Sequence, residues 1–147
     1  MIRRTAYLFD EVYVIVFDNS QKNNMFTASV RLELLKLACA PLSGCEGMGK
    51  IVADISQGML CDFSKEHNMD AVIKGARNAS DFDYEYLLSL INRSFNPGIE
   101  TLIMPSRAEY QHISSTVVRE LLKYGKPLDG YVPDNIINRL YDIIRNK

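Results

Sequence analysis

Residues 71–104 read AVIKGARNASDFDYEYLLSLINRSFNPGIETLIM. Ala71 to Lys74 is a short, mostly apolar run with β-branched residues, which predicts a strand ended by Gly75. Ser80 can cap a helix that carries apolar residues at helical spacing as far as Phe95. Asn96-Pro97-Gly98 then stops it, because proline cannot continue a helix. Glu100 to Met104 is a second strand-like run. A strand, a long helix and a strand make a crossover unit, and such units build parallel sheets.

The same alternation extends outward. Val12 to Phe17 (VYVIVF) is a continuous apolar run, the pattern of a strand buried on both faces. Thr27 can cap a helix whose stripe is Val30, Leu32, Leu34, Leu35 and Ala38. Residues 41–50 hold Pro41 and three glycines and predict a loop. Ile51 to Ile55 predicts a strand, residues 57–67 a helix, and Asn68 its stop. Ser114 or Ser115 caps a helix to Tyr124, ended by Gly125, and Pro133 opens a last helix to about residue 144. The expectation is one Rossmann-like three-layer α/β/α domain over residues 1–147 with a parallel sheet. Residues 2–9 (IRRTAYLF) look like the last turns of a helix with no cap before them. Leu8 and Phe9 are expected to pack, and Arg3 and Arg4 to face water. This segment is either a short helix lying on the sheet or the end of an element whose preceding strand is missing.

Composition narrows the function classes. A chain of 147 residues that is 47% hydrophobic and 24% charged can bury a core. A net charge of −1 gives no global field for nucleic acid, so any phosphate site must be a local cluster. No run approaches a membrane span and the N-terminus has no signal-peptide core, so a cytoplasmic protein is expected. Cys39, Cys45 and Cys61 are odd in number and lack CxxC spacing, which suits free thiols.

Open parallel sheets bind ligands beyond the carboxyl ends of their strands. After the first strand comes Asp18-Asn19-Ser20-Gln21-Lys22. After the third comes Lys74-Gly75-Ala76-Arg77-Asn78. Beyond the fourth, Ile113-Ser114-Ser115-Thr116 opens a helix. All suit phosphate: lysine is a mobile cation, arginine a bidentate fork, Gly75 permits close approach, and a helix start offers free N–H groups. Asp81, Asp83 and Glu85 leave metal binding open, although acids also suit a helix N-terminus. Tyr84, Leu87, Leu88 and Ile91 suit a core or a subunit interface. Cys61 suits the core. His67 ends a helix and is expected at the surface.

The run Lys74-Gly75-Ala76-Arg77-Asn78-Ala79-Ser80-Asp81-Phe82-Asp83-Tyr84-Glu85 resembles the signature of the bacterial phosphopantetheine adenylyltransferase family. So do Phe9-Asp10-Glu11-Val12, Lys22 with Met25-Phe26-Thr27, Arg31, Glu33, Asn92-Arg93, Met104-Pro105-Ser106 and Ile113 to Thr116. The resemblance runs from about Ile2 to the C-terminus. It implies transfer of an adenylyl group from ATP to 4′-phosphopantetheine, giving dephospho-coenzyme A and pyrophosphate, with Mg2+ accompanying the nucleotide and a homohexameric assembly. It further implies that Lys22, Leu60, Lys74 and Asn92 serve phosphopantetheine. Gly75, Ala76, Arg77 and Glu85, with Tyr110, Gln111, His112, Ile113, Ser114, Ser115 and Thr116, would serve ATP. Two departures qualify it. The family carries arginine where this chain has Lys74, and its first strand and GH-ending histidine segment have no counterpart here. His112 cannot be assumed to replace that histidine. A catalytically impaired homologue that only folds, oligomerises or binds nucleotide, and a related cytidylyltransferase, are the alternatives. With the histidine segment missing, greatly reduced pyrophosphate release is expected.

Overall fold

A computed structural model describes residues 1–18 and 24–145. Four strands alternate with helices: β1 (Glu11–Phe17), β2 (Lys50–Ser56), β3 (Ala71–Ala76) and β4 (Glu100–Pro105). The helices are α1 (Ile2–Ala6), α2 (Ala28–Cys39), α3 (Leu60–Glu66), α4 (Ala79–Phe95), α5 (Ser115–Lys123) and α6 (Asp134–Arg145). β1 pairs with β2 in parallel, Val14 opposite Ala53, and β3 pairs with β4 in parallel, Ile73 opposite Leu102. This is the parallel, helix-alternating architecture of a Rossmann-like α/β fold. The sheet is in two halves: among the described residues no ladder joins β1–β2 to β3–β4.

Helix ends follow local chemistry. The Thr27 hydroxyl accepts from the Val30 N–H at 3.4 Å and the Ser114 hydroxyl from the Val117 N–H at 3.2 Å. Ser80 is not the cap of α4. Asn78 caps it, its side-chain oxygen accepting from the Asp81 N–H at 2.8 Å, and this starts the helix earlier at Ala79. α3 begins at Leu60 rather than near residue 57, because Ser56 still belongs to β2 and the Gly58 N–H turns back to its hydroxyl at 3.3 Å. Asn68 stops the chain after α3 with φ +50°, a left-handed conformation that asparagine tolerates. β3 runs through Gly75 to Ala76, which pairs opposite Pro105.

α2 packs on β1 and β2, and α4 on β3 and β4. The main core lies among α2, α5 and α6, where Leu34, Leu122, Leu128, Ile136 and Leu140 are buried together. The Arg139 guanidinium clasps Glu33 at 2.5 and 3.0 Å, fastening α6 to α2. Cys61 is 1% exposed, as expected of a small core residue. Ser64 beside it donates to the Cys61 carbonyl and accepts from the Asn96 amide, tying α3 to the end of α4. Leu8 does not pack: it lies in the turn after α1 and is 68% exposed. Arg3 is exposed as expected, whereas Arg4 is half-buried and donates to the Pro105 carbonyl at 2.8 Å. His67 is also not a free surface group. It is half-buried and stacks on Phe63, ring centroids 4.1 Å apart.

Gly49 is the tightest backbone approach. Its N–H donates to the Ala6 carbonyl at 2.7 Å, and a Cβ there would collide with the carbonyl oxygens of Phe9 and Asp10. Backbone cannot move aside as a flexible side chain can. Gly49→Ala is therefore expected to cost about 1–3 kcal/mol of stability, read as a lowered midpoint in urea unfolding with an unchanged slope.

Candidate functional site

Two cavities flank β3. The first, about 620 Å³, lies between β1 and β3 and also meets α1 and α3. The second, about 790 Å³, lies beyond the carboxyl ends of β3 and β4 and is bordered by Arg3, Arg4, Arg77, Arg107, Tyr110 and Tyr131. Position along β3 divides them, with Ala71 to Lys74 all on the first. Lys74 lines the first and Gly75, the next residue, lines the second. Met1 borders both, its sulfur 3.1 Å from where a Cβ on Gly75 would sit. Gly75 is thus a close-approach glycine as well as a strand residue.

The second cavity is cationic. The N-terminal ammonium of Met1 has its pKa lowered, first by burial and then by the charges of Arg4 and Arg107. Arg77 is organised by two partners, Asp81 and Ile113. Its side chain meets the Asp81 carboxylate at 2.8 and 3.3 Å, and its backbone N–H donates to the same carboxylate at 3.0 Å. Its remaining arm donates to the Ile113 carbonyl at 3.2 Å. That last bond draws the exit of β3 against the start of α5. Asp81 therefore does more than complement the helix dipole: it orients the guanidinium. The Arg77 hydrogen bonds hold its carboxyl below the usual aspartate range, and the same pairing raises Arg77.

The predicted site residues fall into three groups. Lys74 and Leu60 share the first cavity. The Lys74 ammonium lies 3.3 Å from a Glu85 oxygen, with the two side chains 28% and 18% exposed, so Glu85 is engaged across the β3–α4 junction. Gly75, Arg77, Tyr110 and Ile113 border the second cavity, and Ser114 caps α5 immediately behind Ile113. Ala76 is buried and its carbonyl accepts from the Ser106 N–H at 2.9 Å, so it holds the wall rather than lining it. Gln111, His112, Ser115 and Thr116 are exposed and border neither cavity, and Asn92, half-buried on α4, lines neither. His112 sits edge-on to Tyr131 at 5.5 Å, one residue back from the lining. Lys22 lies outside the described residues. Among the described residues, no three His, Cys, Asp or Glu side chains converge as a metal cage.

Sequence reasoning missed Arg4, Arg107 and Tyr131. Arg107 follows Pro105-Ser106 directly beyond β4, the position where the sheet rule points, and it could have been found there. Arg4 was hidden because a helical arginine reads as solvated surface.

The cytidylyltransferase-like family matches residues 1–121, which sets the class of protein that this fold and its two-cavity edge define. Among curated proteins, phosphopantetheine adenylyltransferase of Symbiobacterium thermophilum is 37% identical over 140 residues, covering 95% of this chain and 83% of that protein. The protein of the same name from Caldanaerobacter subterraneus subsp. tengcongensis is 35% identical over 97% of this chain and 85% of its own length. That from Leptospira biflexa is 36% identical over 91% and 80%. The chain belongs to the phosphopantetheine adenylyltransferase family of nucleotidyltransferases.

A carboxylate whose folded pKa is lowered stabilises the fold above its unfolded pKa, and that contribution fades as pH falls through the folded value. Carboxyl-detected NMR is expected to place the Asp81 midpoint below that of an ordinary aspartate. In Arg77→Ala the midpoint should return to the ordinary range, and the stability gap between the two proteins should close in acid.

Proposed function

We propose that this chain transfers the adenylyl group of ATP to 4′-phosphopantetheine, giving dephospho-coenzyme A and pyrophosphate. An oxygen of the acceptor phosphate attacks the α-phosphorus, and the bond to the β-phosphate oxygen breaks. The nucleophile needs no general base, since a phosphate monoester with a second pKa near 6 is already ionised at neutral pH. The work left to the protein is positioning and charge stabilisation.

The observation that carries this reading is the arrangement around β3. An acceptor-side lysine and the nucleotide-side glycine are consecutive residues, and a guanidinium fixed by Asp81 stands over the second cavity. In this reading Lys22, Lys74, Leu60 and Asn92 hold phosphopantetheine. Arg77 and the start of α5 hold the β and γ phosphates, where free N–H groups and the helix dipole favour anions. Arg4 and Arg107 add positive charge to the same cavity. Gly75 and Ala76 admit the nucleotide closely, Glu85 accepts from the ribose, and Tyr110 to Thr116 contact ATP. Magnesium enters as MgATP, held by phosphates and water as this ion prefers, without an all-protein cage.

Assembly into a homo-oligomer, hexameric in this reading, uses α4. This helix buries none of its residues within the chain, and Tyr84, Leu87, Ile91 and Phe95 form an exposed apolar stripe. Leu87→Asp with Ile91→Asp is expected to shift the protein to smaller species in sedimentation velocity while its helical circular dichroism is retained. No helix of the described residues is long and apolar enough to cross a membrane, and the proposed compartment is the cytoplasm.

The function is tested by titrating ATP, CTP and 4′-phosphopantetheine and following dephospho-coenzyme A by mass spectrometry. ATP is expected to bind in preference to CTP, and Arg77→Ala to weaken ATP by about tenfold or more. Preference for CTP would overturn the adenylyl reading. A second reading, binding with little turnover, is favoured by the two histidines: neither His67 nor His112 borders the cationic cavity. Tight ATP binding with no pyrophosphate released would select it.

A further inference from the structure

The second cavity gathers positive charge that its own walls do not balance. Four arginines border it, Arg3 and Arg4 from α1, Arg77 after β3 and Arg107 after β4, and no aspartate or glutamate does. Arg77 is closely paired, with Asp81 at 2.8 Å. Arg107 meets Glu109 only at 3.8 Å, and the two side chains are 62% and 56% exposed, so water screens the pair. Arg4 donates to the Pro105 carbonyl, a neutral acceptor. Among the described residues neither Arg3 nor Arg4 has an acidic partner. Like charges brought to one cavity repel one another until an anion joins them.

We infer that this cavity receives a linear chain of three phosphates beyond the adenylyl group, so that inorganic tripolyphosphate binds there more tightly than pyrophosphate. The inference rests on the reading that Arg77 and the start of α5 hold the β and γ phosphates of ATP, and it specifies what lies past them. Ala76 pairs with Pro105, so the exits of β3 and β4 are neighbours at one strand spacing, about 4.8 Å. Arg77 stands one residue past the first exit and Arg107 two residues past the second. The Arg4 hydrogen bond to Pro105 brings α1 to that same second exit. A phosphate chain that starts at Arg77 and crosses one strand spacing along the sheet edge therefore arrives beside Arg4 and Arg107, with Arg3 on the same wall. Planar guanidinium forks suit a terminal phosphate, which carries more charge than the units inside the chain. The site also has an end. The other side chains around it, among them Tyr7, Tyr131, Val132 and Pro133, are apolar or aromatic, so a fourth phosphate meets no further cationic side chain.

The test is calorimetric titration of the full 147-residue chain with pyrophosphate, tripolyphosphate and tetrapolyphosphate, at one ionic strength and without divalent cations. Affinity is expected to rise about tenfold or more from two phosphates to three, as new charge-assisted hydrogen bonds form, and to level off from three to four. No gain at the third phosphate overturns the inference. An equal gain at every step overturns it too, because general attraction to a basic surface grows with each added charge. Arg3→Gln with Arg107→Gln should bring the ratio of tripolyphosphate to pyrophosphate affinity close to one, and Arg3→Lys with Arg107→Lys should keep most of it. A ratio unchanged in the glutamine variant is an overturning result. Reading a ratio guards against a folding defect, which lowers both affinities together. Adenosine 5′-tetraphosphate is expected to exceed ATP by a similar factor, and equal affinities would overturn the placement past the γ phosphate. Failure of the nucleotide reading looks different: ATP and pyrophosphate would then not compete with each other. If they compete and the third phosphate adds nothing, only the present inference falls.

Discussion

Parallel strands cannot be joined by a tight turn. Each must be followed by a crossover that returns the chain to the starting end, and so every strand delivers its next loop to the same edge. The site depends on this constraint. The exits of β3 and β4 lie side by side because Ala76 is paired with Pro105. Arg77 and Arg107, thirty residues apart in sequence, therefore border one cavity. The register of a two-strand ladder sets where the cations stand.

Position alone does not fix orientation, and here a single carboxylate supplies it. Asp81 accepts from both the backbone and the guanidinium of Arg77, and is itself placed by the Asn78 cap of α4. The helix start, the acid and the arginine form one unit. A surface ion pair of this kind contributes little to stability. Its consequence is directional, because an arginine already held in place loses little freedom on meeting a phosphate.

Much of this was legible in the sequence. The order of strands and helices could be read because VYVIVF and AVIK are strongly strand-like and because proline, glycine and asparagine punctuate the helices. Arg77, Gly75 and Ser114 could be read as well, since they follow strands or open helices. Other features depended on packing that no local pattern carries. Arg4 looks like any solvated helix residue until Pro105 is brought to it. His67 looks like a helix-end surface group until β1 places Tyr13 beside it. The cap of α4 went to Asn78 rather than Ser80 because the hydrogen bond to Asp81 is made two residues earlier. That the described strands form two separate pairs, β1–β2 and β3–β4, belongs to three dimensions.

Lys74 and Gly75 border different cavities, yet one peptide bond joins them. Consecutive Cα atoms are 3.8 Å apart whatever the rest of the chain does. The walls of the two cavities therefore meet at a covalent joint, one that thermal motion of the loops cannot stretch. If β3 shifts, both walls shift with it.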